Sequence, residues 1–150
     1  MSSPFNRNSL AQVVAAVGLA AGSKRFWNFT LNIEGETPAP GLTLEWPAGH
    51  IQTKSEVETR LLLELIWIEG GRKFAGVQCN PLGLHRASEL ARILLDIGDA
   101  RAHGRILADY GQEAMRFLDD NAGNIERVAA ALRHEGSLQA LHVQSVIGGN

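Results

Sequence analysis

The sequence predicts an α+β fold: an N-terminal helix, a three- to four-stranded antiparallel sheet, and C-terminal helices that pack on the sheet. Apolar residues follow helical spacing near the N-terminus, alternate with polar residues within 24–79, and return to helical spacing within 83–147. With 150 residues, 45% of them hydrophobic, the chain has the size and composition of one globular domain. We therefore expect residues 1–8 to form a flexible leader and residues 9–150 to form a single domain.

The first predicted helix follows the polar leader. Asn8 or Ser9 is placed to cap this helix, and Gly22 is placed to end it. The apolar residues between them follow helical spacing, and they are Leu10, Val13, Val14, Val17 and Ala21. This apolar stretch is too short to span a bilayer, so we expect no membrane partner.

Two strands are predicted from alternating apolar and polar residues. The first covers residues 26–34, and its apolar residues are Trp27, Phe29, Leu31 and Ile33. The second covers residues 42–46, and its apolar residues are Leu42, Leu44 and Trp46. A period of two is typical of a sheet with one face in the core, so we expect the apolar set of the first strand to point inward.

Residues 57–68 are compatible with either a helix or a buried strand. Propensity favours a helix for this Leu-rich segment. However, Gly70 and Gly71 offer a tight hairpin turn, and residues 72–79 have the pattern of a returning strand. The sequence therefore favours a third and a fourth strand in this region.

The second half of the chain is predicted to be helical over most of residues 84–134. Gly98 and Gly123 divide it into three helices, with Asn124 as a cap for the last one, and Gly136 ends that helix. The first apolar stripe consists of Leu84, Ala87, Leu90, Ala91, Leu94 and Ile97. The second consists of Ile106, Leu107, Tyr110, Ala114, Phe117 and Leu118. Residues 138–147 fit a helix or a strand equally well.

Charge and cysteine content restrict the class of protein. The net charge is −2 and the isoelectric point is about 6.2, so no overall field draws the chain to nucleic acid or to an anionic membrane. Cys79 is the single cysteine and cannot form an intramolecular disulfide. A lone thiol is typical of a reducing compartment, and we expect a cytoplasmic protein.

Catalytic and metal-binding patterns are weak in this sequence. The five histidines do not place two imidazoles on one helical face, so we predict no metal site, no catalytic residue and no cofactor. Cys79 precedes the predicted helix that begins near Leu84, and His85 lies close to it in sequence. An enzyme with a dispersed site near Cys79 is therefore an alternative, although a structural thiol is the favoured interpretation.

A stripe of small residues on the predicted 99–120 helix favours protein–protein contact. Its members are Gly104, Ala108, Gly111 and Met115, at steps of four and three residues. Because glycine is unfavourable inside a helix, two of them indicate the close approach of another helix, either from the same chain or from another subunit. The preferred hypothesis is a non-catalytic interaction or assembly protein, such as an adaptor, subunit, inhibitor or chaperone. Its partner would be another protein or a second copy.

Nucleic-acid binding is the other alternative. The candidate phosphate-binding residues are Lys24, Arg25, Arg72, Lys73, Arg86, Arg92, Arg101 and Arg105. The capped, Ala-rich segment at residues 123–132 resembles the first helix of Fis-type helix-turn-helix units, and this resemblance implies DNA reading by residues 137–147. That segment contains no Lys or Arg to neutralise phosphates, and Arg133 stands where the turn favours glycine. The sequence therefore favours a protein partner.

Overall fold

The computed structural model describes residues 7–23, 28–33, 42–45, 53–76 and 81–148, and most of these residues are helical. The helices are α1 (Arg7–Ser23), α2 (Lys54–Ala75), α3 (Pro81–Asp96), α4 (His103–Asp120), α5 (Ala122–Glu135) and α6 (Ala140–Gly148). The strands are β1 (Asn28–Asn32), β2 (Leu42–Glu45) and β3 (Ser137–Gln139).

The predicted α+β fold with a three- to four-stranded sheet is wrong, because the described residues form a mostly helical fold. Among the described residues of the predicted sheet, only the antiparallel pair of β1 and β2 is formed. The three residues of β3, which come from the predicted helical half, pair with the other edge of β1. The strands predicted within 57–68 and from residue 72 are replaced by α2, while residues 77–79 lie outside the described residues.

Local sequence signals explain why α2 is a helix. The Thr53 hydroxyl accepts a hydrogen bond from the Glu56 N–H, and the Glu56 carboxylate accepts one from the Thr53 N–H, both at 3.3 Å. This capping box satisfies backbone donors that the first turn leaves unpaired. The helix then continues through Gly71 and ends at Gly76, whose φ of 68° is a left-handed C-cap.

Gly70 lies in a packed helix interface and not in a hairpin turn. A Cβ atom built on Gly70 would be 3.7 Å from Val13 of α1 and 3.9 Å from Leu118 of α4. Both Gly70 and Gly71 are buried. The hairpin prediction is wrong because the unfavourable propensity of each glycine, about 1 kcal/mol, is offset by the packing of α2 against α1, α3 and α4.

Helix α1 is the centre of the core. From Ser9 to Ala21, every side chain is buried except that of Gln12, which is partly exposed. A helix that is apolar on all sides must be surrounded, and α1 packs mainly against α2 and α5, with further contacts to β1 and α6. Among the described residues, no helix is long and apolar enough to cross a membrane.

Strand β1 lies directly on α1, in the register that its alternation predicts. Phe29, Leu31 and Ile33 are buried, and Asn32 is exposed. Leu31 pairs with Leu42 of β2 on one side and with Leu138 of β3 on the other. The inward orientation of the first strand is therefore confirmed for the described residues, whereas Trp27 and Trp46 lie outside them.

The helices of the second half are confirmed as α3, α4 and α5, with changes at their ends. Gly98 and Gly136 follow α3 and α5 with positive φ values of 105° and 80°. Helix α4 begins at His103 rather than near Asp99, and Asn124 lies inside α5 rather than at its cap. The ambiguous tail contains both predicted types, because residues 137–139 form β3 and α6 follows directly.

Candidate functional site

The predicted stripe of small residues lies on an uncovered side of α4. Gly104 and Ala108 are exposed, Gly111 is partly exposed, and Met115 is 54% exposed. Apart from the neighbouring residues and the nearby backbone of α4 itself, no atom of the described residues is within 4 Å of a Cβ built on Gly104 or on Gly111. We refer to these four residues as the open face of α4. No helix within the described part of the chain packs closely on its two glycines.

The adjacent side of α4 faces the core. Ile106, Ala114 and Leu118 are buried there, and Tyr110 and Phe117 are partly buried against the same core. At about 100° per residue, the open face is displaced by roughly a quarter turn from this buried stripe. The core thus holds α4 in place while the open face points away from the rest of the described chain.

An ion-pair cluster around Arg101 fixes the loop between α3 and α4. Arg101 donates from Nε and Nη2 to the two carboxylate oxygens of Asp99, at 3.0 and 2.8 Å, and its backbone N–H donates to the same carboxylate at 2.9 Å. The Asp99 side chain is only 5% exposed. Hydrogen bonds from Arg101 hold the pKa of Asp99 well below its usual range, and the same pairing raises the pKa of Arg101.

The Arg101 cluster extends to α4 and α2. Arg101 also contacts Asp109 of α4 at 3.2 Å, and its guanidinium lies 5.2 Å from the centre of the Tyr110 ring, within cation–π range. The Tyr110 hydroxyl donates a hydrogen bond to the Glu58 carboxylate of α2. Burial, together with this carboxylate, raises the pKa of Tyr110 to about 12. The cluster therefore ties α2, the α3–α4 loop and α4 together.

The other predicted phosphate-binding residues are mostly paired with carboxylates. The ion pairs are Arg72 with Glu69 at 3.5 Å, Lys73 with Asp119 at 2.9 Å, Arg86 with Glu64 at 2.8 Å and Arg105 with Asp109 at 2.9 Å. Arg92 is exposed, and Lys24 and Arg25 lie outside the described residues. Such surface pairs are weak individually, yet they balance the local charge that would attract a phosphate backbone.

A serine and a histidine that the sequence analysis did not single out meet between α3 and α4. His103 Nε2 lies 3.2 Å from the Ser88 hydroxyl and 2.9 Å from the Ser88 carbonyl oxygen. A ring nitrogen this close to a carbonyl oxygen carries the proton and donates it. Nε2 therefore has no lone pair with which to activate the Ser88 hydroxyl as a nucleophile, and the contact links two helices.

The structure describes only part of the predicted thiol site, and a metal site can be assessed only among the described residues. Cys79 lies outside them, and its suggested partner His85 is exposed at the start of α3. In the described ranges, no three His, Cys, Asp or Glu side chains are grouped closely enough to hold a metal ion.

The resemblance to a helix-turn-helix unit ends with α5. The residues that follow this helix form β3, which is hydrogen-bonded to β1 between Thr30 and Asn32. Helix α6 then buries Val143 and leaves Leu141 79% exposed. The segment that would read DNA thus begins with a strand that is hydrogen-bonded to β1 and buries Leu138.

Two isoleucine side chains at the C-terminal end of α3 are exposed to solvent. Ile93 and Ile97 lie one helical turn apart and are 40% and 48% exposed. The predicted buried stripe of α3 is confirmed at Ala87, Ala91 and Leu94 but is wrong at its two ends, because Leu84 and Ile97 are exposed. The sequence contains a signal for this pair, because residues four apart lie next to each other on one side of a helix.

The fold and the surface define the class of this protein by its architecture. It is a mostly helical domain in which α2, α5 and α6 pack around the apolar helix α1, and α4 has an open face. Neither the protein-family models nor the curated proteins contain a match to this chain.

Proposed function

We propose that this chain is a non-catalytic protein-binding or assembly protein that uses the open face of α4 to contact another protein or a second copy of itself. The main support for this proposal is the empty space next to Gly104 and Gly111 on the surface of α4. Gly111 lies inside α4, where glycine costs about 1 kcal/mol relative to alanine, whereas Gly104 lies in the first turn. Close approach of another helix is the usual compensation for such a cost. The described chain supplies no such helix at this face, so the partner is expected to supply it.

The exposed apolar side chains support the same proposal. Met115 ends the open face and is 54% exposed, and methionine adapts readily to the shape of a partner. Ile93 of α3 and Ile97, which directly follows this helix, expose further apolar surface. Covering large apolar side chains on association contributes about 25 cal/mol per Å² of apolar area removed from water.

The charge distribution favours a protein over nucleic acid as the partner. The net charge is −2, and most of the candidate phosphate-binding side chains are already paired with carboxylates. A protein gains affinity for nucleic acid when its cations displace counterions from the phosphates, and cations that are already paired with carboxylates contribute less to this exchange. A cytoplasmic location, suggested by the single cysteine, is part of the proposal.

The experiment that tests the proposal is a steric block at the open face. Gly111→Leu adds a large side chain where no described atom lies within 4 Å, so the chain itself should still fold. Gln112→Leu is the matched control, because it introduces the same side chain at an exposed neighbouring position of α4 that points about 100° away. Circular dichroism checks that both variants are folded. Sedimentation equilibrium and identification of co-purifying proteins from the source then compare both variants with the wild type.

We expect the wild type and Gln112→Leu to form the same complex, and Gly111→Leu to lose it while remaining folded. Loss of a homo-oligomer would identify a second copy as the partner, and selective loss of one co-purifying protein would identify a heterologous one. The proposal is wrong if the wild type sediments as a monomer and all three proteins retain the same co-purifying set.

A further inference from the structure

No further inference is drawn: the strongest candidate, the open face of α4 formed by Gly104, Ala108, Gly111 and Met115, belongs to the surface already proposed, and nothing in the structure shows what covers it.

Discussion

Gly18 of α1 and Leu31 of β1 lie in direct contact, so that a Cβ atom at Gly18 would be 2.7 Å from both terminal methyl carbons of Leu31. Leu31 is fully buried and cannot turn outward without leaving the core. The absence of a side chain at position 18 is therefore what allows β1 to pack onto the central helix. Spacing along the sequence predicts this role of close approach for Gly104 and Gly111 of α4 instead.

This contact predicts that Gly18→Ala destabilises the protein. Overpacking in a core costs about 1–3 kcal/mol, and the gain in helix propensity returns at most about 1 kcal/mol. We expect the free energy of unfolding to fall by about 1–2 kcal/mol, measured by urea denaturation. In the background of Leu31→Ala, which removes the overlapping methyl groups, the same substitution should be neutral or stabilising. An equal loss in both backgrounds would contradict the proposed contact.

Gly111→Ala is expected to have the opposite effect. Since the new Cβ would contact no described atom outside the neighbouring part of α4, only the improved helix propensity remains. The isolated chain should therefore gain about 0.5–1 kcal/mol in its free energy of unfolding. Comparison of Gly111→Ala with Gly18→Ala under identical denaturation conditions is the check. A loss of stability at position 111 would show that the chain itself packs on the open face.

Asp99→Asn is expected to lower the thermal midpoint at neutral pH, because it weakens the paired hydrogen bonds from Arg101 that order the α3–α4 loop. The folded state depresses the pKa of Asp99 below its ordinary value of 3.8. The stabilisation is therefore present above that value and is lost as the pH falls through it toward the lower folded pKa. The difference in midpoint between wild type and Asp99→Asn should shrink when the pH is lowered from 7 to 3. A constant difference would show that the ionised carboxylate is not what stabilises the loop.

Tyr110 is the only tyrosine in the chain, so a titration of phenolate absorbance reports on it alone. We expect the midpoint to lie near a pKa of about 12 in the folded protein. Because the folded pKa exceeds the unfolded one of about 10, stability from this group is complete below pH 10 and is lost as the pH rises from there through the folded pKa. Glu58→Gln removes the carboxylate that accepts the hydrogen bond from the Tyr110 hydroxyl. The titration midpoint of Tyr110 should therefore move to lower pH. An equal midpoint in the wild type and in Glu58→Gln would refute the contribution of the hydrogen bond.

The local spacing of apolar residues was sufficient to predict several helices and strands from the sequence. The alternation around Leu31 fixed which face of β1 is buried, and the helical spacing between Gly98 and Gly136 identified α4 and α5. These predictions hold because a strand and an amphipathic helix each present one face to the core at their own period. The capping box of Thr53 and Glu56 is also recognisable in the sequence, and it indicates that a helix begins where α2 begins.

The error at Gly70 and Gly71 shows where local reasoning fails. Two adjacent glycines favour a turn in isolation, and only the packing of Gly70 against Val13 and Leu118 explains their place inside a helix. With α2 assigned as a strand, the predicted sheet became too large and the fold class was wrong.

The sequence by itself determined which face of β1 is buried, the positions of most helices, and the spacing that places Gly104 and Gly111 on one side of α4. Only the tertiary structure decided that this side is uncovered, that Gly18 is the glycine in close contact, and that Arg101 is bound by carboxylates. Spacing along a helix is set by the backbone within a few residues. Which face becomes covered depends on how segments far apart in the chain pack around α1, and no local pattern specifies that packing.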